Sequence, residues 1–286
     1  MNSPLSFRQV PKLETFDPEV FKRDYLYPCK PVVIGDFSKD WGARERWRPE
    51  FFIENYGQEQ VKVYDTGFGV PGKKYMSNLT TMPLGDYLKA MMSGQTTLRL
   101  FLYNMIKVAP ELKADVKLPK FIKGFSERFM FMFFGSQGSV TQMHYDIDLS
   151  HVFHTAFTGR KRFYLYPPSM GRKLYRHPFT IRSYVDVLKP DLEKFPKLAE
   201  ATGDYVELAP GETLFIPAGY WHHVVYDEPS IALSLRCAHH HWWKRVEGIL
   251  NILFVQMVDR LVNKITPVAW FEWKQNKARL LAEKPL

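Results

Sequence analysis

Three residues in two separate segments carry side chains that could hold a metal ion. His144 and Asp146 lie two positions apart, and His222 follows Trp221 much later in the chain. In an extended strand, side chains at positions i and i+2 point to the same side, so His144 and Asp146 are expected to share one face. Two imidazoles and one carboxylate leave three coordination positions open, a geometry that suits non-haem Fe(II).

The segments that contain these residues are predicted to be β-strands. From residue 129 onward, short apolar or alternating runs are separated by turn residues such as Pro210-Gly211. This pattern is typical of a β-sandwich or barrel. The predicted strands are residues 129–134, 140–146, 161–166, 204–208, 213–216, 223–226 and 231–236.

Residues 11–60 predict an N-terminal α+β cap on this mainly β domain. A helix is expected to begin at Asp17-Pro18-Glu19, because an acidic N-cap followed by proline favours a helix start. Further helices are expected within 41–56 and from 83 toward 92, with strands at 31–34, 60–64 and 97–103. In the last of these strands, alternation places Arg99, Phe101 and Tyr103 on one face.

Composition excludes several classes of protein. Hydrophobic residues make up 45% of the 286, and two cysteines cannot form a disulfide framework. No apolar run is long enough to span a membrane and no apolar leader segment opens the chain, so a cytoplasmic location is expected. The net charge of +9 favours an acidic partner such as tRNA, although the basic residues are spread along the chain.

Lys161 stands out because its strand places it on an apolar face. By the two-residue period it shares that face with Phe163 and Leu165, whereas Arg160 and Arg162 point the other way toward solvent. A buried ammonium group is costly without an anionic partner. The sequence therefore predicts that Lys161 pairs with an anion inside the protein.

Four motifs in a fixed order carry a resemblance to a known family. They are His144-x-Asp146, G-x-K-R-x-x-L-x-P-P at 159–168, D-L-E-K-F-P at 191–196, and P-G-x-x-x-x-I-P-x-x-x-W-H at 210–222. Over about residues 10–240 the chain resembles the JmjC-type, cupin-like 2-oxoglutarate oxygenases, which include an asparaginyl hydroxylase and a tRNA wybutosine hydroxylase. The resemblance implies a double-stranded β-helix (jelly roll) that holds Fe(II) and 2-oxoglutarate. It also implies hydroxylation of a C–H bond with release of succinate and CO2.

The metal ligands that the resemblance implies are His144, Asp146 and His222. Asp146 is preferred to Asp148 because the family spacing is H-x-D, and His222 is preferred to His223 because the family ligand directly follows tryptophan.

For the co-substrate, the resemblance implies that Lys161 pairs with the distal carboxylate of 2-oxoglutarate and that Thr141 adds a hydroxyl contact. Thr141 and His144 face opposite sides of a regular strand, so this contact requires a β-bulge. The family's aromatic hydroxyl aligns with Phe101, which has none, so Tyr103 on the same face is the substitute. Ser234 and Arg236 are further candidates.

The substrate is left open between a protein side chain and RNA, with Tyr145 and Trp221 as candidate lining residues. Two other functions also remain open: a non-oxidative cupin that binds zinc or manganese, and a catalytically silent binding or scaffold module.

Two domains are expected, residues 1–241 and a helical extension at 242–286. Residues 242–265 have aliphatic side chains at helical spacing on several sides. A helix packed on the barrel, a homodimer interface and membrane association are the open interpretations. The run His239, His240 and His241 just before this segment is interpreted as a solvated turn.

Overall fold

The computed structural model of the chain describes residues 5–70 and 77–284. Its strands are β1 (Phe7–Gln9), β2 (Lys12–Leu13), β3 (Val32–Ile34), β4 (Gln60–Val63), β5 (Thr80–Pro83), β6 (Arg99–Tyr103), β7 (Phe125–Gly135), β8 (Val140–His144), β9 (His151–Thr158), β10 (Lys161–Tyr166), β11 (Gly203–Leu208), β12 (Thr213–Ile216), β13 (Trp221–Tyr226) and β14 (Ser230–Cys237). Its α-helices are α1 (Pro18–Phe21), α2 (Ala43–Arg46), α3 (Pro49–Tyr56), α4 (Leu84–Met92), α5 (Met105–Val108), α6 (Trp242–Leu250), α7 (Gln256–Ile265) and α8 (Pro267–Glu283). One π-helical turn, Lys22–Leu26, follows α1, and another, Asn251–Val255, joins α6 to α7.

Two facing sheets form the centre of the molecule. The five-stranded sheet has the order β1-β11-β10-β13-β8, and the seven-stranded sheet has the order β2-β3-β12-β9-β14-β7-β6. The eight strands from β7 to β14 are shared equally between these sheets, so the chain crosses repeatedly from one sheet to the other. This is the jelly-roll arrangement, and the predicted fold class is confirmed.

The barrel interior is filled by side chains that alternate inward along both sheets. Phe163 and Leu165 of β10, Val224 of β13 and Leu214 of β12 belong to this interior cluster. Because successive strand residues point to opposite faces, the neighbours of these residues pack outside the barrel. The inner cluster therefore fixes which strand positions can contribute to a site inside the barrel.

Strand β9 is absent from the predicted strands, although it lies at the centre of the seven-stranded sheet between β12 and β14. All of its residues except the last are buried. A strand that is covered on both faces has no apolar–polar alternation, so the period that reveals half-buried strands is missing.

The N-terminal cap packs its helices on the outer face of the seven-stranded sheet. Phe21 of α1 and Phe52 of α3 are fully buried there, beside Trp47. The helix predicted at Asp17 is present, and the Asp17 carboxylate accepts hydrogen bonds from the backbone N–H groups of Glu19 and Val20 at 2.8 and 3.0 Å. The cap thus covers the seven-stranded sheet, whereas β8 and β13 belong to the other, five-stranded sheet.

The C-terminal segment is helical, as expected. Helix α8 packs on the outer face of the five-stranded sheet through Ala278 and Ala282. Helices α7 and α8 are joined by a buried ion pair in which Lys274 contacts Asp259 at 2.5 Å. Within the described ranges, no helix has both the length and the apolar character needed to cross a membrane.

Candidate active site

The structure brings His144, Asp146 and His222 together where β8 ends and β13 begins. His144 is the last residue of β8 and pairs directly with His222 across the sheet. Asp146 follows β8 by two residues. One ligand atom from each of the three side chains lies within 4.8 Å of the other two. The residues predicted to be metal ligands therefore form one compact cluster.

Hydrogen bonds fix the protonation of both imidazoles in this cluster. His144 Nδ1 lies 2.8 Å from the carbonyl oxygen of Gln142, and His222 Nδ1 lies 3.1 Å from that of Tyr220. A carbonyl oxygen only accepts, so each Nδ1 carries the proton and each Nε2 keeps a free lone pair. A metal-binding histidine typically donates its second ring N–H in this way. The donor set therefore fits a ferrous ion bound through the two Nε2 atoms and one Asp146 oxygen.

The charges around the cluster keep it ready for a cation. Burial, together with the other imidazole, lowers the pKa of His144 well below its ordinary value, and burial lowers that of His222. Burial opposes ionisation of Asp146, but interactions led by the charge of the Arg236 guanidinium more than offset it and hold the pKa of this carboxyl well below its usual range. Two neutral imidazoles thus lie beside an ionised carboxylate.

Arg236 positions this carboxylate. Its guanidinium contacts Asp146 at 3.2 Å and Asp148 at 2.8 Å, and it also donates to the hydroxyl of Ser150 at 3.1 Å. Both of its Nη groups thus contact carboxylates of the protein, and a contact of Arg236 with the co-substrate stays a prediction. Asp148, the competing carboxylate, belongs to this ion-pair network.

Lys161 lies inside the barrel without an acidic partner. Its side chain is fully buried, and no carboxylate among the residues described here lies within ion-pair distance of it. Its Nζ is 3.2 Å from Nε2 of His154 and 4.7 Å from the ring centroid of Tyr226. Burial lowers the pKa of Lys161 to about 7. This is the environment that an anionic ligand would complete.

His154 and Ser234 support Lys161 from β9 and β14, where they are paired across the sheet. Nδ1 of His154 lies 2.8 Å from Oγ of Ser234. When Lys161 is protonated, its ammonium only donates, so in that state Nε2 of His154 accepts and its Nδ1–H donates to Ser234. The sequence reasoning named Ser234 but missed His154, which lies on the strand that was not predicted.

A second buried cation, Arg99 of β6, also lies near Tyr226. Its Nη1 donates to Oγ1 of Thr141 at 2.6 Å, and the Thr141 hydroxyl in turn hydrogen-bonds the phenol of Tyr226. The ring of Tyr226 packs so closely on the backbone of Gly135 that a Cβ at that position would lie 2.2 Å from it. Thr141 and Tyr226 therefore occupy the same region of the interior as Lys161.

The bulge that the Thr141 assignment requires is present. His144 pairs with His222, whereas Thr141 pairs with Val224, so β8 has one residue more than β13 between these two pairs. The extra residue turns Thr141 to the side of the sheet on which His144 lies. Its role as a co-substrate contact stays a prediction.

The structure corrects the assignment of Tyr103. Leu102 has a left-handed backbone with φ of 52°, and the register of β6 against β7 shifts between Leu100 and Tyr103. Tyr103 consequently pairs with Met132 and packs in the cluster between the seven-stranded sheet and the cap helices. The alternation expected in this strand fails beyond Phe101, and Tyr226 is the phenol that lies beside Lys161.

Tyr145 and Trp221 do not line the site either. The two rings meet edge to face at 4.8 Å within the cluster on the outer face of the five-stranded sheet. Trp221 is adjacent to His222 in an extended strand, so its side chain must point to the opposite face. The prediction that these residues contact the substrate is wrong for this physical reason.

A second histidine group lies between β9 and helix α6. His151, His239 and His240 each place a ring nitrogen within 4.8 Å of the others, and His151 and His239 are almost completely buried. The interpretation of residues 239–241 as a solvated turn is thus wrong for His239. The rings are stacked, with centroids 4.8 Å apart for His151 and His239 and 4.3 Å apart for His239 and His240.

Comparisons with known proteins agree with this geometry. Residues 18–248 match the family model described as a cupin-like domain. The chain is 28% identical over 248 residues to lysine-specific demethylase 8 of Danio rerio, covering 82% of this chain and 58% of that protein. It thus spans little more than half the length of the demethylase relatives.

Two chicken proteins are matched over more of their own length. tRNA wybutosine-synthesizing protein 5 of Gallus gallus is 27% identical over 252 residues, covering 81% of this chain and 77% of that protein. The 2-oxoglutarate and iron-dependent oxygenase JMJD4 of Gallus gallus is 28% identical over 301 residues, covering 93% of this chain and 66% of that protein.

Proposed function

Because the chain belongs to the cupin-like domain family, we propose that it is an Fe(II)- and 2-oxoglutarate-dependent oxygenase that hydroxylates a C–H bond of a macromolecular substrate. The observation that carries the proposal is the pairing of two features inside one barrel. Two neutral imidazoles and an ionised carboxylate form a cluster that fits a ferrous ion, and a buried lysine nearby has no acidic partner within the part of the chain that the structure describes.

Different residues of the chain would bind the metal and the co-substrate. His144, Asp146 and His222 would hold the iron, and Arg236 keeps the Asp146 carboxylate ionised and oriented. Lys161 would donate to the distal carboxylate of 2-oxoglutarate in a charge-assisted hydrogen bond.

When bound, iron and 2-oxoglutarate supply the oxidation of a C–H bond to C–OH by dioxygen, with conversion of 2-oxoglutarate to succinate and CO2.

Co-substrate binding is also coupled to the protonation of Lys161. With a pKa of about 7 in its buried position, the amine is only partly protonated at neutral pH. A carboxylate placed beside Nζ favours the ammonium form, so the protein takes up a proton when the anion binds above pH 7. His154 receives one Lys161 hydrogen bond before the anion arrives and keeps the amine within the interior.

The substrate is proposed to be a protein side chain or RNA, with a cytoplasmic location. Named relatives act on lysine or arginine residues or on a tRNA, and the net charge of +9 supports an acidic partner or an assembly that contains one.

The test is anaerobic and needs no knowledge of the substrate. Purified protein is loaded with Fe(II), 2-oxoglutarate is added, and the weak visible charge-transfer band of the iron chelate is recorded. The band is expected in the wild type and in His241→Ala, which changes a histidine outside the cluster, and it is expected to be absent in His144→Ala.

A folded, metal-loaded wild type that never develops the band would contradict the proposal. A non-oxidative metal cupin would then be the better description if the metal binds through the same three residues. A silent binding module would be the better description if His144→Ala leaves metal binding unchanged.

A further inference from the structure

The carboxylate of the candidate metal cluster comes from a loop, whereas both imidazoles come from strands. Asp146 belongs to the loop of residues 145–150, which joins the end of β8 to the start of β9. His144 and His222 lie in paired strands, where backbone hydrogen bonds to a neighbouring strand fix their positions. The position of Asp146 must therefore be fixed by contacts between this loop and other parts of the molecule.

The backbone of the loop is strained. Leu149 has a left-handed conformation with φ of 49°, which is unfavourable for a residue with a bulky side chain. Its N–H donates to the carbonyl oxygen of Asp146 at 3.2 Å, so the strained residue closes a turn that begins at the candidate metal ligand. Strain of this kind persists only where the surrounding structure holds the backbone in place. The loop therefore needs support from its neighbours.

Helix α6 provides one such support through Gly248. A Cβ at this position would lie 2.2 Å from the carbonyl oxygen of Asp148, so the close approach of helix and loop requires glycine. Glycine is less favourable than alanine inside a helix, and this contact gives a reason for its presence. The next residue, Ile249, is more than half exposed, which shows that α6 turns its Gly248 side toward the barrel.

A second support lies in the π-helical turn Asn251–Val255, directly after α6. Nδ2 of Asn251 donates to the carbonyl oxygen of Ile147 at 3.5 Å. Such π-helical turns are rare and often occur at functional sites. The two supports contact Ile147 and Asp148, which are the two residues that directly follow Asp146 in the chain.

The side chain of Asp148 connects these contacts to the carboxylate of Asp146. Arg236 contacts both carboxylates, with Nη2 at 3.2 Å from Asp146 and Nη1 at 2.8 Å from Asp148. The hydroxyl of Ser150 donates to the other carboxylate oxygen of Asp148 at 2.9 Å. A displacement of Asp148 would therefore move the guanidinium that orients Asp146.

We propose that Gly248 and Asn251 are positioning residues for the metal, because they hold the loop so that the Asp146 carboxylate faces the two imidazoles. The proposal rests on the proposed function for the identity of the metal, but the positioning applies to any divalent ion that the same three residues bind. Asn251 lies beyond residue 248, where the match to the cupin-like domain ends. A shift of α6 would thus change the metal affinity of a site inside the barrel.

Titration calorimetry of the metal-free full chain with Co(II) tests this without any enzymatic activity. Sites of this kind bind Co(II) more tightly than Fe(II), so weakened variants remain measurable. Gly248→Ala is expected to lower the Co(II) affinity by about tenfold or more, which is the usual effect of outer residues of a metal site. Ile249→Ala changes the exposed neighbour in the same helix and is expected to bind Co(II) as the wild type does.

A double-mutant cycle shows whether Gly248 acts through the carboxylate. On an Asp146→Ala background, Gly248→Ala is expected to have no further effect, because the ligand that it displaces is already absent. An equal loss of affinity on both backgrounds would show a general structural effect and overturns the proposal. If circular dichroism shows that Gly248→Ala is unfolded, Asn251→Ala replaces it in the cycle, with an expected loss of about threefold for one hydrogen bond.

The outcomes distinguish the positioning role from the proposed function. A folded Gly248→Ala, or its replacement Asn251→Ala, that binds Co(II) as tightly as the wild type contradicts the positioning role alone. A folded wild type that binds no Co(II) contradicts the metal site itself, and the positioning role and the proposed function are then both wrong.

Discussion

Among the described residues, two groups of three side chains could hold a metal ion, and the hydrogen bonds of just one of these groups leave it ready to do so. In the first group, His144 and His222 donate their Nδ1–H to backbone carbonyls, which leaves Nε2 free to bind. In the second group, Nδ1 of His151 accepts from the N–H of Ala218, and Nδ1 of His239 accepts from that of His241.

An imidazole whose Nδ1 accepts must carry its proton on Nε2, so His151 and His239 have no lone pair left for a metal.

The ring planes lead to the same conclusion. A metal lies in the plane of each imidazole that binds it, so ligand rings must be inclined toward a common point. His144 and His222 are inclined by 57° at 4.2 Å. His151 and His240 are inclined by only 3°, and His239 and His240 by 27°. Proximity of histidines is therefore a weaker sign of a metal site than the partners of their second nitrogens.

The largest expected effect is a difference in ferrous affinity between variants of the first group and variants of the second group. His144→Ala removes a ligand and is expected to lower ferrous affinity by at least about a hundredfold, since even outer residues of a metal site contribute ten- to a hundredfold. His239→Ala is expected to leave the affinity unchanged. Anaerobic titration calorimetry measures both variants. An equal loss in both would show that the second group also binds iron.

The next largest effect concerns Lys161, the buried cation near the first group. Lys161→Met is expected to weaken 2-oxoglutarate binding by about a hundredfold, because a buried carboxylate loses its charged partner. Ferrous affinity should be retained. Arg162→Met is the matched control, since this neighbour points outward and pairs with Asp227. Titration of the chelate band gives the two affinities, and equal values for Lys161→Met and the wild type would place the carboxylate elsewhere.

The affinity for 2-oxoglutarate is expected to depend on pH through the same lysine. The free protein binds its Lys161 proton with a pKa of about 7, and the bound carboxylate raises this pKa. Affinity should therefore be nearly constant below pH 7 and fall above it, by up to about tenfold per pH unit. The chelate titration repeated from pH 6 to 9 measures this, with Lys161→Met as the control that lacks the dependence. A flat wild-type profile would exclude the proton linkage.

The second group is expected to make the free energy of unfolding fall as the pH is lowered. Burial, with the neighbouring His239 and His240, lowers the pKa of His151 to about 3. Because the folded pKa lies below the ordinary value of 6.5, this residue favours folding above pH 6.5 and the contribution is lost as the pH falls toward 3. The slope is up to about 1.4 kcal/mol per pH unit.

Urea unfolding from pH 7 to 4 measures this loss, and His151→Phe, which keeps a stacked ring, should be less sensitive to acid. The same acid sensitivity in the variant and the wild type would show that His151 is protonated equally in both states.

The smallest effect concerns the tautomer of His154. Ser234→Ala removes the acceptor of its Nδ1–H, and one hydrogen bond contributes about 1 kcal/mol. We expect a fall of about fivefold in 2-oxoglutarate affinity with no change in ferrous affinity. Ser230→Ala, in the same strand, serves as the control. A larger loss of metal binding than of co-substrate binding would contradict this assignment.

Much of the site was accessible from spacing and chemistry. The H-x-D pair on one strand and the later histidine were named, and the structure brings all three together. Lys161 was expected on the inner face from the two-residue period, and it is fully buried there. These predictions succeeded because they depend on local geometry that a regular strand imposes.

The errors also have physical causes. Tyr103 was misplaced because a left-handed residue, Leu102, interrupts the alternation of β6. His154 was missed because a strand buried on both faces has no period. The contacts of Arg236 with Asp146 and Asp148 were not foreseen, since sequence spacing does not reveal which carboxylate a guanidinium will meet.

The sequence by itself determined the fold class, the three residues of the candidate metal cluster and the buried lysine, because each is set by residue type and by the period of a strand. The tertiary structure decided which nitrogen of each histidine is free, which phenol lies beside Lys161, and which side of the C-terminal helices faces outward. These depend on backbone groups and packing partners that lie far apart in the chain. Only folding brings them together, so no local pattern could have fixed them.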